Sequence, residues 1–510
     1  MSIRVLAAKN AFSNWTLIAV MTVVSVLLAP FVLHRLGDSA YGLYYLIMTI
    51  TGYYGLLDLG MATAIVKYVA EYTARNDEES LNCLVNTAIF CYSILSVVIA
   101  VLTWVGSIYV DSLFHISPGF LRDARLLFLI TGFGVAGYFP LGVFNGILGG
   151  LQKFYVTSPM KIVCTLLRAG LVVYFLEIGY GLLALAIITV GVNVGVYAGS
   201  CVFFAIHSVR LQWGRRYIRK DTFKMIARYA IPNLAAGIPG LLRTEADNAI
   251  IGVSLSAAAI TYYSIGAKLV EYLGRLVNSL GTLFIPMASQ FDAAGETHRM
   301  RRLLIDGNRV CAFLAFPFAV VMVILGKPII AVWMGQRYVA SSYVVLVILV
   351  IPTALWFSQS ASTRILYGIN EHKWLAKILW FEGLSNLALS IILVHRIGIT
   401  GVAIGTAIPL AVLSIFFVAP HLARLLKVSL TEMLIKTYLP PLALCVPLAA
   451  VLFLLRRLFP TPSIPTLFLQ LAGGAVVYGV IVLWLFFTRE PLGIKVWGRV
   501  AQSLPKPFGR

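Results

Sequence analysis

Long apolar segments recur along almost the whole chain of 510 residues. Each is close to, or longer than, the roughly 20 residues that a helix needs to cross a bilayer. Continuous apolar runs of this length favour helices over the short alternating strands of a membrane barrel. Their bounds are 14–34, 41–66, 82–106, 122–148, 158–178, 181–206, 225–253, 258–287, 303–325, 341–365, 374–394, 399–420, 436–455 and 465–488. The sequence therefore predicts an all-α membrane protein with 14 transmembrane helices.

The composition excludes several other classes of protein. Hydrophobic residues make up 60% and charged residues 12% of the chain, against about 25% charged residues in soluble domains. The formal net charge of +20 would suggest nucleic acid as the partner of a soluble protein. Here it indicates membrane topology and contact with anionic lipid headgroups, so no nucleic-acid partner is expected. The six cysteines lie inside apolar segments without CxxC spacing, so neither a metal site nor a disulfide framework is indicated.

The distribution of Lys and Arg orients the predicted spans. The N-terminus and every second connection hold 27 of these residues, and the alternate connections hold 8. Because cytoplasmic connections are enriched in Lys and Arg, both termini are predicted to be cytoplasmic. We expect a multi-pass membrane protein.

A weak internal repeat divides the chain. Ala40 and Ala259 begin corresponding segments at an offset of 219 residues, and the segments 147–152 and 365–370 correspond at 218. Six helices per copy give two pseudo-symmetric six-helix lobes in the same orientation, followed by two C-terminal helices. The predicted domains are an N-terminal lobe (1–207), a basic cytoplasmic linker (208–224), a C-terminal lobe (225–424), and helices 13–14 with a basic cytoplasmic tail (425–510).

Ionisable residues inside the predicted spans are candidates for function, because a charge at membrane depth is costly unless it is paired or hydrated. Two groups arise by role. Substrate-binding candidates in a cationic cavity are Arg168, Arg243, Lys268 and Arg275. Ion-coupling candidates are Asp58, Glu245, Asp247 and Glu271.

Helical spacing suggests how these groups pair. Arg243 and Asp247 are four residues apart and share a helix face. Lys268, Glu271 and Arg275 form one stripe, with a carboxylate between two cations. Two readings stay open, namely a hydrated cavity lined by these charges or purely internal pairing; Asp58 could equally bond a neighbouring helix.

The balance of charge favours an anionic substrate head. Arg168 and the charges of helices 7 and 8 comprise four cations and three carboxylates. A pocket for cationic drugs should be net acidic, whereas Arg and Lys suit phosphate. No cofactor or metal is expected, and the carboxylates could load and release a proton or Na⁺ to use an ion gradient.

Several chemistries lack their sequence signatures. The chain has no GxxxxGK[ST] phosphate loop, no HExxH and no GxSxG, which argues against an ATP-driven pump and against those hydrolases. Connections are too short for a channel filter or for the external catalytic domain of a glycan polymerase. We therefore expect a transporter rather than an enzyme.

Five segments resemble the oligosaccharide flippases of bacterial surface polysaccharide assembly, in the multidrug/oligosaccharidyl-lipid/polysaccharide exporter superfamily. They are 10–14 (NAFSN), 36–44 (LGDSAYGLY), 57–61 (LDLGM), 145–154 with Asn145-Gly146 and Gly150-Leu151-Gln152-Lys153-Phe154, and 247–252 (DNAIIG). The resemblance implies fourteen helices and export of an undecaprenyl-diphosphate-linked oligosaccharide from the inner to the outer leaflet. Asp247 matches a recurrent acidic position of the family's seventh helix, whereas Asn248 stands where many members carry Arg.

The sequence thus leads to the hypothesis of an alternating-access flippase. Its substrate would be a polyprenyl-diphosphate-linked oligosaccharide for lipopolysaccharide or other surface polysaccharide biosynthesis, with membrane lipids and a polysaccharide polymerase as further partners. A two-lobe carrier can work as a monomer. The alternatives are a cation/drug antiporter of the same superfamily and a membrane glycan polymerase or ligase.

Overall fold

The computed structural model describes residues 3–58, 60–114, 116, 118–207, 211–281 and 284–488. These residues form helices joined by short turns, and no β-strand occurs among them. The first half contains α1 (Ile3–Leu36), α2 (Asp38–Gly52), α3 (Met61–Arg75), α4 (Glu78–Leu113), α5 (Leu121–Tyr138), α6 (Gly142–Gly150), α7 (Phe154–Glu177) and α8 (Leu182–His207). The second contains α9 (Lys220–Ser254), α10 (Ala257–Gly281), α11 (Phe284–Ala293), α12 (Thr297–Trp333), α13 (Val339–Ser358), α14 (Ser360–Gly368), α15 (His372–Ile397), α16 (Ile399–Val412), α17 (Ala419–Leu425), α18 (Leu430–Leu458) and α19 (Ile464–Thr488).

The helices identify the chain as a multi-pass membrane protein. In the described ranges, ten helical segments are long and apolar enough to cross a bilayer, and the bent pair α5 and α6 raises this to eleven. Large apolar side chains stay exposed along them, as at Phe468 (73%) and Val476 (63%) on α19. Lipid accepts such side chains, whereas water would not, so the prediction of an all-α membrane protein is confirmed.

Three of the fourteen predicted spans do not meet that criterion of length and apolarity. The segment 41–66 is broken by the 3₁₀ helix Tyr53–Asp58 between α2 and α3. The segments 225–253 and 258–287 coincide largely with α9 and α10, which are long but contain charged residues. These three segments carry seven of the eight candidate site residues, and in α9 and α10 the groups that suggest function are also those that lower apolarity.

The chain divides into two compact units. Unit 1 comprises residues 1–262 and 390–402, and unit 2 comprises 263–389 and 403–510. Unit 1 therefore includes α9 and the first turns of α10, because α9 packs on α2, α3 and α4. This division differs from the predicted lobes at 1–207 and 225–424, which remain a prediction from sequence symmetry.

The two halves repeat the same order of helices at a nearly constant offset. Glu78 begins α4 and Thr297 begins α12, 219 residues later. Gly142 and Ser360 begin α6 and α14 at an offset of 218. Left-handed turn residues repeat as well, with Asn76 and Gly295, Gln152 and Asn370, and Gly179 and Gly398 as pairs. Since turns of positive φ are restrictive positions, their recurrence supports the sequence repeat.

Each unit has its own apolar core and equivalent helix pairs. In unit 1, α4 packs on α5 and α3 on α6, around buried residues such as Leu84 and Leu127. In unit 2, α12 packs on α13 and α11 on α14, around Leu304 and Leu366. Helix α18 packs on α12, and α19 packs mainly on α18.

The described part of the predicted linker is attached to the start of α4. Asn86 donates to Gln212 O (2.9 Å) and accepts from Gly214 N (3.2 Å). Asn82 accepts from Gln212 N at 3.0 Å, and Arg219 pairs with Glu79 at 2.6 Å. The linker is thus a fixed part of unit 1 over 211–219, while 208–210 and the basic tail beyond residue 488 lie outside the described residues.

Candidate functional site

Asp58 ends the 3₁₀ helix that interrupts the second predicted span. Its carboxylate accepts a short hydrogen bond from the Tyr92 hydroxyl of α4 and a longer one from Ala62 N (3.3 Å). Gly60 follows with φ +75, and a Cβ there would lie 2.6 Å from Ala230 O of α9. The close approach requires glycine and explains the Asp58–Gly60 motif structurally. Asp58 thus forms a hydrogen bond with a neighbouring helix, which is one of the two roles that the sequence allows for it.

A second polar cluster in unit 1 links α2 to α9. Thr49 Oγ1 donates to Glu245 (3.2 Å) and accepts from Asn248 Nδ2 at the same distance. Asp247 is buried, with 4% exposure, and Arg243 is half-buried. The i,i+4 pairing of Arg243 with Asp247 stays a prediction.

Arg168 lies on α7, which carries none of the other candidate site residues. It is half-buried, while Leu166 and Leu167 beside it are more than half exposed. Arg168 belongs to unit 1, as Arg243 does, whereas Lys268 and Arg275 belong to unit 2. A single vestibule that contains all four cations stays a prediction.

In unit 2, the stripe of charges on α10 forms as spacing predicts. Glu271 pairs with Lys268 at 2.9 Å and with Arg275 at 2.7 Å. The side chains of Lys268, Glu271 and Arg275 are 23%, 45% and 33% exposed. One carboxylate therefore pairs with two cations, and all three side chains are partly accessible.

Another face of α10 packs closely against α13 through two glycines. A Cβ at Gly266 would lie 2.6 Å from Ser342 O, and one at Gly274 would lie 2.6 Å from the Phe357 ring. At about 100° per residue, the centre of this glycine face lies roughly 130°, or a little over a third of a turn, from the centre of the charged stripe. Glycines thus bring α10 against α13 and leave the charges beside that contact.

A cavity of about 180 Å³ continues from the stripe in unit 2. Asn278, one turn after Arg275, accepts a hydrogen bond from Arg364 Nη2 at 3.3 Å. Trp356 and Tyr367 add aromatic faces, and Ser360 and Thr363 add hydroxyl groups. This set can bind an anion through Arg364 and stack on a sugar ring.

Arg364 is not among the site residues that the sequence analysis predicts. The signal that could have found it is the polar run Ser360-Ala361-Ser362-Thr363-Arg364 between two apolar stretches. That run begins α14 after the chain leaves α13 at Gln359. Arg364, near the start of α14, lines the cavity.

Unit 2 also buries polar groups on α15 and α16. Glu382 has 0% exposure, and Asn386 Nδ2 donates to Thr406 Oγ1 at 3.2 Å. Charged and amide side chains in such surroundings are costly unless they are bonded. Among the described residues, no group of three His, Cys, Asp or Glu side chains is arranged to hold a metal ion.

Other residues of the family resemblance make structural contacts in unit 1. Asn10 donates to Gln152 O (2.8 Å) and accepts from Tyr155 N (3.0 Å), which joins α1 to the turn between α6 and α7. Asp38 O accepts from Thr261 Oγ1 at 2.8 Å at the start of α10. These motifs therefore hold helices together, and chemistry is left to the charged clusters.

Comparison with known proteins agrees with this architecture. The family model described as "Polysaccharide biosynthesis protein" matches residues 32–343. The chain belongs to this family. It is thus a multi-pass membrane protein of polysaccharide biosynthesis, which confirms that part of the sequence prediction.

Two relatives and one solved structure bear on the fold and the class of transporter. The "Putative O-antigen transporter" of Shigella flexneri is 20% identical over 78% of this chain and 94% of its own. The "Probable low-salt glycan biosynthesis flippase Agl15" of Haloferax volcanii is 24% identical over 55% of this chain and 60% of its own. The inward closed structure of the lipid II flippase MurJ is 16% identical, with a TM-score of 0.70 over 94% of this chain and 99% of that one. At this identity, the MurJ structure shows a shared fold.

Proposed function

We propose that the protein is an alternating-access flippase for a polyprenyl-diphosphate-linked oligosaccharide. The observation that carries the proposal is the stripe on α10, where the partly exposed side chains of Lys268 and Arg275 both pair with Glu271. A charge kept accessible in a span needs a hydrated or anionic partner. A diphosphate would be such an anionic partner for Lys268 and Arg275, since guanidinium groups form paired hydrogen bonds with phosphate oxygens and Lys binds phosphate as a point charge.

The cavity beside the stripe extends this recognition to the sugar. Its volume of about 180 Å³ is below the roughly 300 Å³ of an ordinary ligand pocket, so it suits one sugar ring or one phosphate. Trp356 and Tyr367 provide stacking surfaces, and Arg364 provides a charge. The rest of the oligosaccharide would occupy space outside this cavity.

The transport cycle would follow from the two predicted lobes. The head would enter from the cytoplasmic side, the polyprenyl tail would remain in lipid, with α18 and α19 as its candidate path, and rocking of the lobes would expose the head outside. In this proposal 14 spans cross the inner membrane of a bacterium, with both termini in the cytoplasm. Arg168 and Arg243 would add positive charge along the route, and a polysaccharide polymerase would receive the exported unit.

Unit 1 suggests how an ion gradient would drive the cycle. Asp58, Glu245 and Asp247 are acidic groups within predicted spans of unit 1, and Glu271 is the corresponding candidate in unit 2. Protons or Na⁺ could bind these carboxylates and favour one conformation. No prosthetic group enters the proposal, and the protein would act as a transporter instead of an enzyme.

The decisive experiment replaces the cations of the stripe. The double variant Lys268→Gln/Arg275→Gln should lose flipping of a fluorescent lipid-linked oligosaccharide in proteoliposomes and lose surface glycan in cells. Arg299→Gln/Arg302→Gln removes the same charge from the cytoplasmic start of α12 and should retain both activities. Normal flipping by the first variant, at equal amounts of folded protein, would refute the role of the stripe.

The acidic clusters of unit 1 favour one second candidate, a cation or drug antiporter. That function predicts resistance to cationic dyes that is lost in Asp58→Asn, with no effect on surface glycan. A glycan polymerase or ligase would instead join purified repeat units in vitro. Each outcome excludes the flippase as the sole activity.

A further inference from the structure

A second cavity in unit 2 lies at the opposite end of α13 from the cavity that Arg364 lines. It has a volume of about 170 Å³ and is bounded by the last turns of α12 and α18 and the first turns of α19. The topology predicted from the distribution of Lys and Arg puts this cavity on the outer side of the membrane. The cavity is therefore separate from the site proposed for transport.

Two cations line this cavity. Arg456 donates one hydrogen bond, from Nη1 to Ile324 O at 2.7 Å. A guanidinium group has five N–H donors, so most of its capacity remains for a ligand. Lys327 lies with Nζ 5.2 Å from the centre of the Tyr343 ring and lines the same cavity. The pair gives the cavity a charge of +2, with no acidic side chain in its described lining.

A buried acceptor completes the polar set. Gln470 is 3% exposed, and its Nε2 donates to Phe459 O at 3.0 Å. This bond fixes the orientation of the amide. Its Oε1 lines the cavity wall without a hydrogen-bond partner among the described residues. A buried amide oxygen of this kind lowers its free energy by accepting a hydrogen bond, so a ligand with a hydroxyl group is favoured.

The start of α19 adds to the attraction for an anion. Ser463 and Thr466 exchange side-chain bonds with each other's backbone N–H groups, at 3.0 and 3.4 Å. This arrangement caps the helix at its first turn. Thr466 and Leu467, in the first turn of α19, form part of the cavity wall. The N-terminal, positive end of the dipole of α19 therefore lies at the cavity.

Exposed apolar side chains beside the opening point to a lipid rather than a soluble ligand. Leu458, Ile464 and Phe468 are 61%, 74% and 73% exposed, and they lie on α18 and α19 next to the residues of the cavity. Acyl chains can cover such surfaces, whereas a soluble ligand would leave them unchanged. The polar cavity thus lies next to an apolar surface, as the polar headgroup of a phospholipid lies next to its acyl chains.

We propose that this cavity binds the headgroup of an anionic glycerophospholipid of the outer leaflet, of the phosphatidylglycerol class. Lys327 and Arg456 contact the phosphate, and Gln470 Oε1 accepts a hydrogen bond from a headgroup hydroxyl. The acyl chains lie along the exposed faces of α18 and α19. This assignment concerns a resident lipid and is independent of the lipid-linked substrate.

The test uses the full-length protein in nanodiscs of phosphatidylcholine with added phosphatidylglycerol or phosphatidylmethanol, and native mass spectrometry counts retained lipids. Phosphatidylmethanol carries the same charge but no headgroup hydroxyl. The wild type should retain phosphatidylglycerol about fivefold better, as expected for one added hydrogen bond. Gln470→Leu should erase this preference, and Lys327→Gln/Arg456→Gln should lower retention of both lipids about tenfold or more.

The matched control is Arg396→Gln/Arg457→Gln, which removes two outside charges that do not line the cavity. It should retain both lipids as the wild type does, and thermal melting of each variant should identify any that fails to fold. Equal retention by the two double variants would overturn the proposal. Binding of free glycerol phosphate at the cavity, without lipid retention, would overturn the lipid as its source.

Discussion

The contact between α2 and the start of α10 offers a sharp test of the packing in unit 1. Gly42 lies against the first residue of α10, where a Cβ would be 1.7 Å from Ala257 O and 3.0 Å from Thr261 Oγ1. The substitution Gly42→Ala therefore places a methyl group where the backbone of another helix already lies. Gly52 ends the same helix and has no atom within 4 Å of its added Cβ.

The size of the effect follows from these distances. A carbon and a carbonyl oxygen approach to about 3.3 Å, so α10 must move away by roughly 1.6 Å. That shift breaks the 2.8 Å hydrogen bond from Thr261 to Asp38 O, which costs about 1 kcal/mol. Overpacking adds about 1–3 kcal/mol. The total loss is about 2–4 kcal/mol, or about 4–8 °C in melting temperature at about 2 °C per kcal/mol.

Thermal unfolding of the purified protein in detergent, followed by thiol-reactive fluorescence, measures this loss. Gly52→Ala is the matched control and should melt within about 1 °C of the wild type, because a helical glycine with free space accepts alanine. Flipping should fall in Gly42→Ala as well, since the displaced helix carries Lys268 and Arg275.

Equal melting temperatures for the two variants would refute the reasoning. Such a result would mean that α2 and α10 do not approach as closely as Gly42 and Ala257 indicate. The proposed function would survive it, because the charged stripe lies further along α10.

Three further changes have distinct expected results. Glu271→Gln should lower the melting temperature by less than about 2 °C, because exposed ion pairs contribute about 0.5 kcal/mol each. Flipping by this variant should nevertheless change. A large loss of stability would contradict the exposure of the stripe. Asn86→Ala removes two bonds to the linker and should speed its proteolysis over 211–219 about tenfold, as measured by peptide mapping; an unchanged rate would contradict the docked linker. Hydrogen bonds from the Ser80 side chain and from its backbone N–H hold the pKa of the Asp77 carboxyl below its usual 3.8. The stabilisation of α4 by Asp77 is therefore present above pH 3.8 and lost as the pH falls through the lower folded value. Hydrogen exchange of the first turn should show this loss in the wild type and not in Asp77→Asn.

Sequence patterns predicted the elements of the fold well where apolar periodicity was uninterrupted. Segments such as 436–455 lie within the observed α18, because a continuous apolar run needs a helix in lipid. The break at Tyr53–Asp58 was not predicted, and neither was the close approach of Gly60, just after it, to Ala230 in a distant helix. Local sequence carries no record of that contact.

The candidate site was predicted in part for the same reason. The pairing of Glu271 with Lys268 and Arg275 is local, so three- and four-residue spacing sufficed. The bond from Thr49 to Glu245 and the cavity around Arg364 join residues that are about 200 and 90 positions apart. Spacing on one helix cannot indicate which distant side chain will face it.

The sequence by itself determined that this chain is a helical membrane protein with repeated halves and charges on a few spans. Those properties follow from the energy of apolar and charged groups in lipid, which acts on each segment separately. Only the tertiary structure decided which charges have partners, where glycines let helices touch, and that Arg364 and Gln470 line cavities. These features depend on contacts between helices far apart in the chain, and such contacts exist only once the helices have packed.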